Sequence, residues 1–275
     1  MANLRTPKPL ISWFSITVVL IAWRSNAPAR GAEPAGSAEE RIAKLSADLK
    51  NEDPVVRRSA IGSLIHSDIS PMMLAEMRSA LVDRDGEVRA TSATAIGNLG
   101  AAAVPALDEL IAQLKSDKVK EARETAARAL GRIGKAAPGE KRAIGPLTTA
   151  SKGDPDSVTR VVAHGALAMM EVELDGQIAA LRKYLRHDDA LTRMKAAHAL
   201  GMIGAPAKAA APEIVEVLKR ETDSHRRGYV ARALGSTGDP ASLPALYAAL
   251  EKETDPGSQG EMRGAISRLG GQVPK

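Results

Sequence analysis

The apolar and polar positions of this chain fall into two alternating patterns. In the first, Ile42, Leu45 and Leu49 are spaced i, i+3, i+7, which predicts one apolar face of a helix beginning at Glu39. The same face returns as Leu107, Leu110, Ile111 and Leu114, and again as Ile214, Val215 and Leu218. The second pattern is clearest in Glu121-Ala-Arg-Glu-Thr-Ala-Ala-Arg-Ala-Leu-Gly-Arg-Ile-Gly134. It recurs as Glu87-Val-Arg-Ala-Thr-Ser-Ala-Thr-Ala-Ile-Gly-Asn-Leu-Gly100 and as Leu191-Thr-Arg-Met-Lys-Ala-Ala-His-Ala-Leu-Gly-Met-Ile-Gly204. An Arg stands seven residues before a Leu or Ile in Arg57/Leu64, Arg89/Ile96, Arg123/Leu130, Arg160/Leu167, Arg193/Leu200 and Arg227/Leu234. Successive arginines are 32, 34, 37, 33 and 34 residues apart. A period of that size marks stacked repeats, whose core forms between neighbours and has no single centre.

Each unit therefore predicts two helices. The first is expected to open on Pro71, Pro105, Pro146, Pro212 or Pro244, since proline suits a first helical turn. The second carries the Arg and is expected to close on the pairs Gly97/Gly100, Gly131/Gly134, Gly201/Gly204 and Gly235/Gly238, glycine being favoured just past a helix end. In the turn between them, four residues before the Arg, stand Asp53, Asp85, Asp156, Asp189 and Asp223; only Val119 departs. An Asp there caps the second helix through its backbone N–H groups, suits the helix dipole and is within reach of an Arg of a neighbouring unit. As exposed pairs, each such contact would contribute about 0–1 kcal/mol, so this ladder is expected to set register more than to stabilise.

The Asp-x-x-x-Arg-x-x-Ala run leading into Ala-Leu-Gly-x-Ile-Gly, read over 119–134 and 189–204, resembles the HEAT repeat. In particular it is similar to the short repeats of phycobilisome-lyase-type HEAT-like proteins. The resemblance covers about residues 39–275 and implies an all-α fold, an α-solenoid of stacked antiparallel helix pairs. About six repeats are expected, with a shortened seventh copy, Glu261 to Gly270, as a C-terminal cap. The copies at 53–67 and 154–171 lack the terminal glycines, with Asp68 and Glu171 at the last position.

Composition changes this picture at the N-terminus. Arg5 and Lys8 precede the uncharged run Leu10–Trp23, followed by the small-residue patterns Ala27-Pro-Ala29 and Ala29-Arg-Gly31. This is the three-part form of a secretory signal peptide, assigned to residues 1–32, with 33–38 as a flexible leader. The run is short for a membrane span, which needs about 20 residues. The expected location is therefore periplasmic or extracellular, and an uncleaved N-terminal anchor is the alternative. Residues 1–32 hold four of the 38 basic side chains (Arg5, Lys8, Arg24, Arg30) and none of the 33 acids, leaving 34 against 33. The apparent basicity belongs to the leader, and general nucleic-acid affinity is not expected.

Little in the chain speaks for catalysis. It has no cysteine, no nucleophile elbow and no phosphate-cradling glycine loop. The resemblance to this repeat class also raises a metal site, since one enzyme built on the repeat, deoxyhypusine hydroxylase, binds a di-iron centre through His-Glu dipeptides contributed by successive repeats. None of His66, His164, His187, His198 and His225 is followed by Glu. No metal and no cofactor are expected. The likeness to bilin lyases implies pigment handling only as an alternative, because that chemistry is cytoplasmic and this chain carries an export signal.

One surface pattern points to a partner. Counting from the Arg of each second helix, positions +3, +7 and +10 face the core, as Ala126, Leu130 and Ile133. Positions +2, +5 and +9 form another stripe, and in HEAT solenoids the second helices line the inner surface. The stripe reads Ser59, Gly62, His66; Thr91, Thr94, Asn98; Thr125, Arg128, Arg132; Val162, Gly165, Met169; Lys195, His198, Met202; Tyr229, Arg232, Ser236. None of these 18 is acidic and four are Lys or Arg. The expected function is a non-catalytic interaction scaffold that holds another protein, in an acidic or extended segment, through Arg128, Arg132, Lys195, His198, Tyr229 and Arg232. An enzyme or cofactor handler on the same repeat, and a self-associating envelope component, are the rival classes.

Overall fold

The structure, a computed structural model, describes residues 36–273. The segment read as a signal peptide, residues 1–32, lies outside them. The described residues form an all-α solenoid of seven successive helix pairs and contain no strand. The pairs are α1 (Ala38–Asp48) with α2 (Pro54–Leu64), α3 (Leu74–Ala80) with α4 (Gly86–Asn98), and α5 (Leu107–Ser116) with α6 (Lys120–Ala136). There follow α7 (Ile144–Gly153) with α8 (Ser157–Met169), α9 (Leu174–Tyr184) with α10 (Ala190–Ile203), α11 (Ala211–Arg220) with α12 (Ser224–Thr237), and α13 (Leu243–Lys252) with α14 (Pro256–Arg268). The last pair, expected to be shortened, has helices of 10 and 13 residues, the same lengths as α7 and α8.

The local chemistry explains these boundaries. Asp53, Asp85, Asp156, Asp189 and Asp223 each accept a backbone N–H bond at the start of an even-numbered helix, satisfying donors that the helix leaves open. Asp255 does the same for α14. Val119 has no oxygen to offer, and α6 starts without a side-chain cap. The prolines divide. Pro146, Pro212 and Pro244 lie in the first turns of α7, α11 and α13, whereas Pro71 and Pro105 lie in 3₁₀ turns that precede α3 and α5.

The glycine pairs also divide by role. Gly100, Gly204 and Gly238 have φ of 56°, 77° and 73°, positive values that glycine adopts without strain where a helix ends. Gly134 lies within α6, which runs on to Ala136. The first glycine of each pair is inside or at the end of the helix and serves packing. A Cβ on Gly97, Gly131, Gly201 or Gly235 would sit 2.8, 2.7, 2.7 or 2.6 Å from the Cα of Ala129, Ala166, Ala233 or Ala265 on the next even-numbered helix. Glycine against alanine thus lets consecutive even-numbered helices touch backbone to backbone. The odd-numbered helices meet less extensively, so the even-numbered side is the tighter, inner wall. Between the two layers Leu64, Ile96, Leu130, Leu200, Leu234 and their neighbours are fully buried. Each such side chain contributes about 1.5–3 kcal/mol relative to exposure.

The ladder differs from the sequence expectation in both partner and burial. The Arg of one repeat reaches an acid of the next that stands two residues before the capping position. Arg57 holds Asp83 through Nε and Nη2 at 2.7 and 2.8 Å. Arg89 holds Asp117 at 2.6 and 2.7 Å, and Arg123 holds Asp154 at 2.8 and 2.9 Å. The Nη1 of each donates to backbone carbonyls of its own turn, at Asn51, Asp83 and Asp117 respectively. Arg57, Arg123 and Asp154 are less than a tenth exposed. These are buried forks, because the Arg enters the helix on its core side, in the cleft between repeats. Arg227 reaches Glu253 through Nε alone at 2.8 Å, its Nη2 donating to the Ser224 hydroxyl at 2.9 Å. The series breaks in the middle. Where the next repeat would supply an acid to Arg160 it has His187, and Arg160 donates instead to the Tyr184 hydroxyl at 3.1 Å. Arg193 donates to the carbonyls of His187 and Asp188.

Candidate functional site

The inner wall is built by the even-numbered helices, whose glycine–alanine contacts bring successive stripes side by side. None of the 18 stripe residues is buried, whereas Ala126, Leu130 and Ile133 are fully so. The wall therefore faces solvent along its length. Its first copies are small and polar; its middle and later copies hold the charged and aromatic groups.

From α6 to α12 the six residues singled out in the sequence lie on this one surface. Tyr229 is 45% exposed; its ring meets the His198 ring edge-on with centroids 6.4 Å apart, and the Arg232 guanidinium lies 4.8 Å from the Tyr229 centroid. That last contact is a cation–π pair. Met202, half exposed, stands on the same stripe one turn along α10 from His198. His198 records the field of the wall. Burial first, then Arg232, Arg128, Lys195 and Arg132, push its pKa from 6.5 down to about 4. Its imidazole is held neutral at physiological pH by burial first and by the four cations around it second. Arg132 is likewise held below the ordinary arginine value, by burial and then by Arg128.

The cations are partly engaged. Arg132 donates to the Asn98 side-chain oxygen on α4, and Asn98 donates on to the Ile65 carbonyl at 3.0 Å. Arg232 lies 3.6 Å from Glu261 on α14. Arg128 pairs with Glu124 one turn back on α6, and Lys195 on α10 reaches the same Glu124 Oε1 at 2.6 Å. Glu124 was not legible as part of the site. It stands one position off the stripe, and its contact with Lys195 crosses α8, where the stripe carries only Val162, Gly165 and Met169. The short Val162 and Gly165 are the sole sequence signal that α6 and α10 could meet over that helix. The ladder acids, by contrast, had a signal: an Asn, Asp, His or Glu stands two residues before each capping position, as in Asp83/Asp85 and Glu253/Asp255.

The remaining histidines are dispersed. His164 lies against Gln177 at 2.7 Å and near Tyr184, His187 accepts the Asp189 N–H at 3.0 Å, and His66 and His225 are exposed. Among the described residues no group of three or more His, Cys, Asp or Glu side chains is placed to hold a metal ion. No described helix is long and apolar enough to cross a membrane.

Comparison with known proteins agrees with the architecture. The family model for HEAT repeats matches residues 42–131, 80–168, 144–228 and 178–267. No curated protein gives a significant match. Among solved structures, the complex of CpcE and CpcF of phycocyanin lyase from Nostoc sp. aligns at 21% identity, over 88% of this chain and 100% of that one, with a TM-score of 0.51. Human deoxyhypusine hydroxylase aligns at 19% identity over 85% and 97% of the two chains, with a TM-score of 0.43. Importin beta aligns at 15% identity over 83% of this chain and 35% of that one, with a TM-score of 0.46. Repeats tiling residues 42–267 in sequence and seven stacked helix pairs in space lead to one conclusion: the chain belongs to the HEAT-repeat family.

Proposed function

We propose that this HEAT-repeat chain is a non-catalytic interaction module, exported to the periplasm or cell exterior, that holds a polypeptide partner along its inner wall. The observation that carries this reading is the convergence of Arg128, Arg132, Lys195, His198, Tyr229 and Arg232 on one solvent-facing surface of α6–α12. Arg and Tyr are among the side chains enriched at binding hot spots, and a surface with an excess of one sign attracts a ligand of the opposite sign. Export rests on the Arg5/Lys8 and Leu10–Trp23 pattern.

The test is affinity capture from an envelope extract with the mature chain beside its Arg128→Glu, Arg132→Glu, Arg232→Glu variant. A partner held by the first and lost by the equally helical second supports the reading. A partner retained by both overturns the wall as the working surface. Stoichiometric metal or bound pigment in the purified chain would favour a cofactor-handling role instead.

A further inference from the structure

The wall holds more donor capacity than it uses. A guanidinium has five N–H donors. Arg132 gives one to the neutral oxygen of Asn98, Arg128 uses Nη2 toward Glu124, and Arg232 faces Glu261 only at 3.6 Å. At the centre stands Glu124, whose Oε1 takes both Arg128 and Lys195. Its Lys195 contact joins side chains 71 residues apart in sequence, and the Glu124 side chain is only 16% exposed. Four cations and two carboxylates, Glu124 and Glu261, thus leave a net positive surface on which one carboxylate, Glu124, already occupies two of the cations. Beside it lie the exposed apolar surfaces of Met202 and Tyr229.

Resting on the interaction reading above, we infer that Glu124 stands in for a partner's carboxylate. An acidic polypeptide segment binds the wall by replacing Glu124 as the counter-ion of Lys195 and Arg128. Its further carboxylates sit on Arg132 and Arg232, and an apolar side chain packs on Met202 and Tyr229. A carboxylate fits because it accepts the paired N–H bonds that a guanidinium fork presents. The apolar rim favours a polypeptide over a simple polyanion, which has nothing to place there. The span sets the length. Helices pack about 8–10 Å apart, so α6 to α12 covers roughly 24–30 Å, the reach of about seven to nine extended residues.

The test uses the full mature chain, as wild type, as Glu124→Gln and as Arg132→Glu with Arg232→Glu. Fluorescein-labelled decaglutamate, decaglutamine and inorganic polyphosphate are the probes, and anisotropy is the readout. Far-UV circular dichroism checks that each variant is folded. Freeing Lys195 and Arg128 is expected to tighten decaglutamate binding by about tenfold, the scale of one charge-assisted contact regained. The double reversal is expected to abolish it, and decaglutamine to bind none of the three proteins. Equal decaglutamate affinity of wild type and Glu124→Gln overturns the exchange; if the double reversal still abolishes binding, the wall remains an interaction surface and that broader reading survives. A gain seen with polyphosphate but not with decaglutamate overturns the polypeptide occupant. Decaglutamate bound by no folded form, at any salt, overturns the inference outright.

Discussion

The ladder gives the sharpest energetic prediction, through Arg123→Ala. Arg123 donates two bonds of 2.8 and 2.9 Å to Asp154 and a third of 2.9 Å to the Asp117 carbonyl. Both Arg123 and Asp154 are only 8% exposed. Truncation leaves the Asp154 carboxylate buried with one remaining bond, from the Asp156 N–H at 2.9 Å. Removing one partner of a buried ion pair costs about 3–5 kcal/mol, most of it the uncompensated charge. The equivalent change at Arg160→Ala removes bonds to the Tyr184 hydroxyl and to the carbonyls of Asp154 and Pro155, with no carboxylate left behind. Its cost is expected to be about 1–2 kcal/mol. Urea unfolding followed by far-UV circular dichroism at neutral pH compares the two. A double-mutant cycle of Arg123→Ala with Asp154→Ala isolates the pair and is expected to show coupling of about 2–3 kcal/mol. Equal costs at Arg123 and Arg160, or coupling below about 0.5 kcal/mol, would refute the buried ladder as a source of stability. Because a solenoid's stability is a sum over repeats and their interfaces, the loss should localise between α6 and α8.

Other predictions follow from the helix contacts and turns. Gly131→Ala places a Cβ 2.7 Å from the Ala166 Cα and should cost about 1–3 kcal/mol by overpacking. Gly62→Ala, inside α2 with nothing within 4 Å, should instead stabilise by about 0.5–1 kcal/mol; thermal midpoints of equal sign would contradict this. Glu171 occupies the positive-φ position taken elsewhere by Gly100 and Gly204, with φ of 58°. Glu171→Gly should therefore stabilise the fold by up to about 1 kcal/mol, read as a raised urea midpoint, and a fall would count against strain there. The Arg227 guanidinium, with the Asp255 and Thr254 N–H groups and against opposing burial, holds the Glu253 carboxyl at about 2 instead of 4.5. A depressed carboxylate stabilises the fold above its unfolded pKa, and that share is lost as pH falls from 4.5 toward 2. Glu253→Gln should flatten the stability–pH curve in that window, and an unchanged slope would exclude the pair as its source.

The repeat and its core were legible because they depend on spacing alone. The Arg-to-Leu offset and the Ala126, Leu130, Ile133 face are properties of a 3.6-residue helix, and they fix which side is buried before any tertiary contact is known. The doubled glycines were half legible. A left-handed turn after a helix is a local property, whereas the approach of Gly131 to Ala166 depends on how two helices thirty-odd residues apart are stacked. The ladder was read two turn residues out of place: the capping aspartates compete for the same Arg on paper, and only the cleft geometry selects Asp83, Asp117 and Asp154. At the wall, the stripe and its cations were visible as a periodicity. Glu124 was not, because its contact with Lys195 passes over an intervening helix and follows from the close stacking of the inner side.

The central claim is that a partner lies on the inner wall, and two methionines test it directly. Met202 on the wall is 51% exposed, and Met72 in the turn before α3 is 50% exposed. Their intrinsic access to an oxidant is therefore matched. Mass spectrometry of oxidative footprints, taken on the chain with and without its captured partner, should show oxidation slowed at Met202 and unchanged at Met72. Slowing at Met72 with Met202 unchanged would contradict the account and place the partner away from the wall.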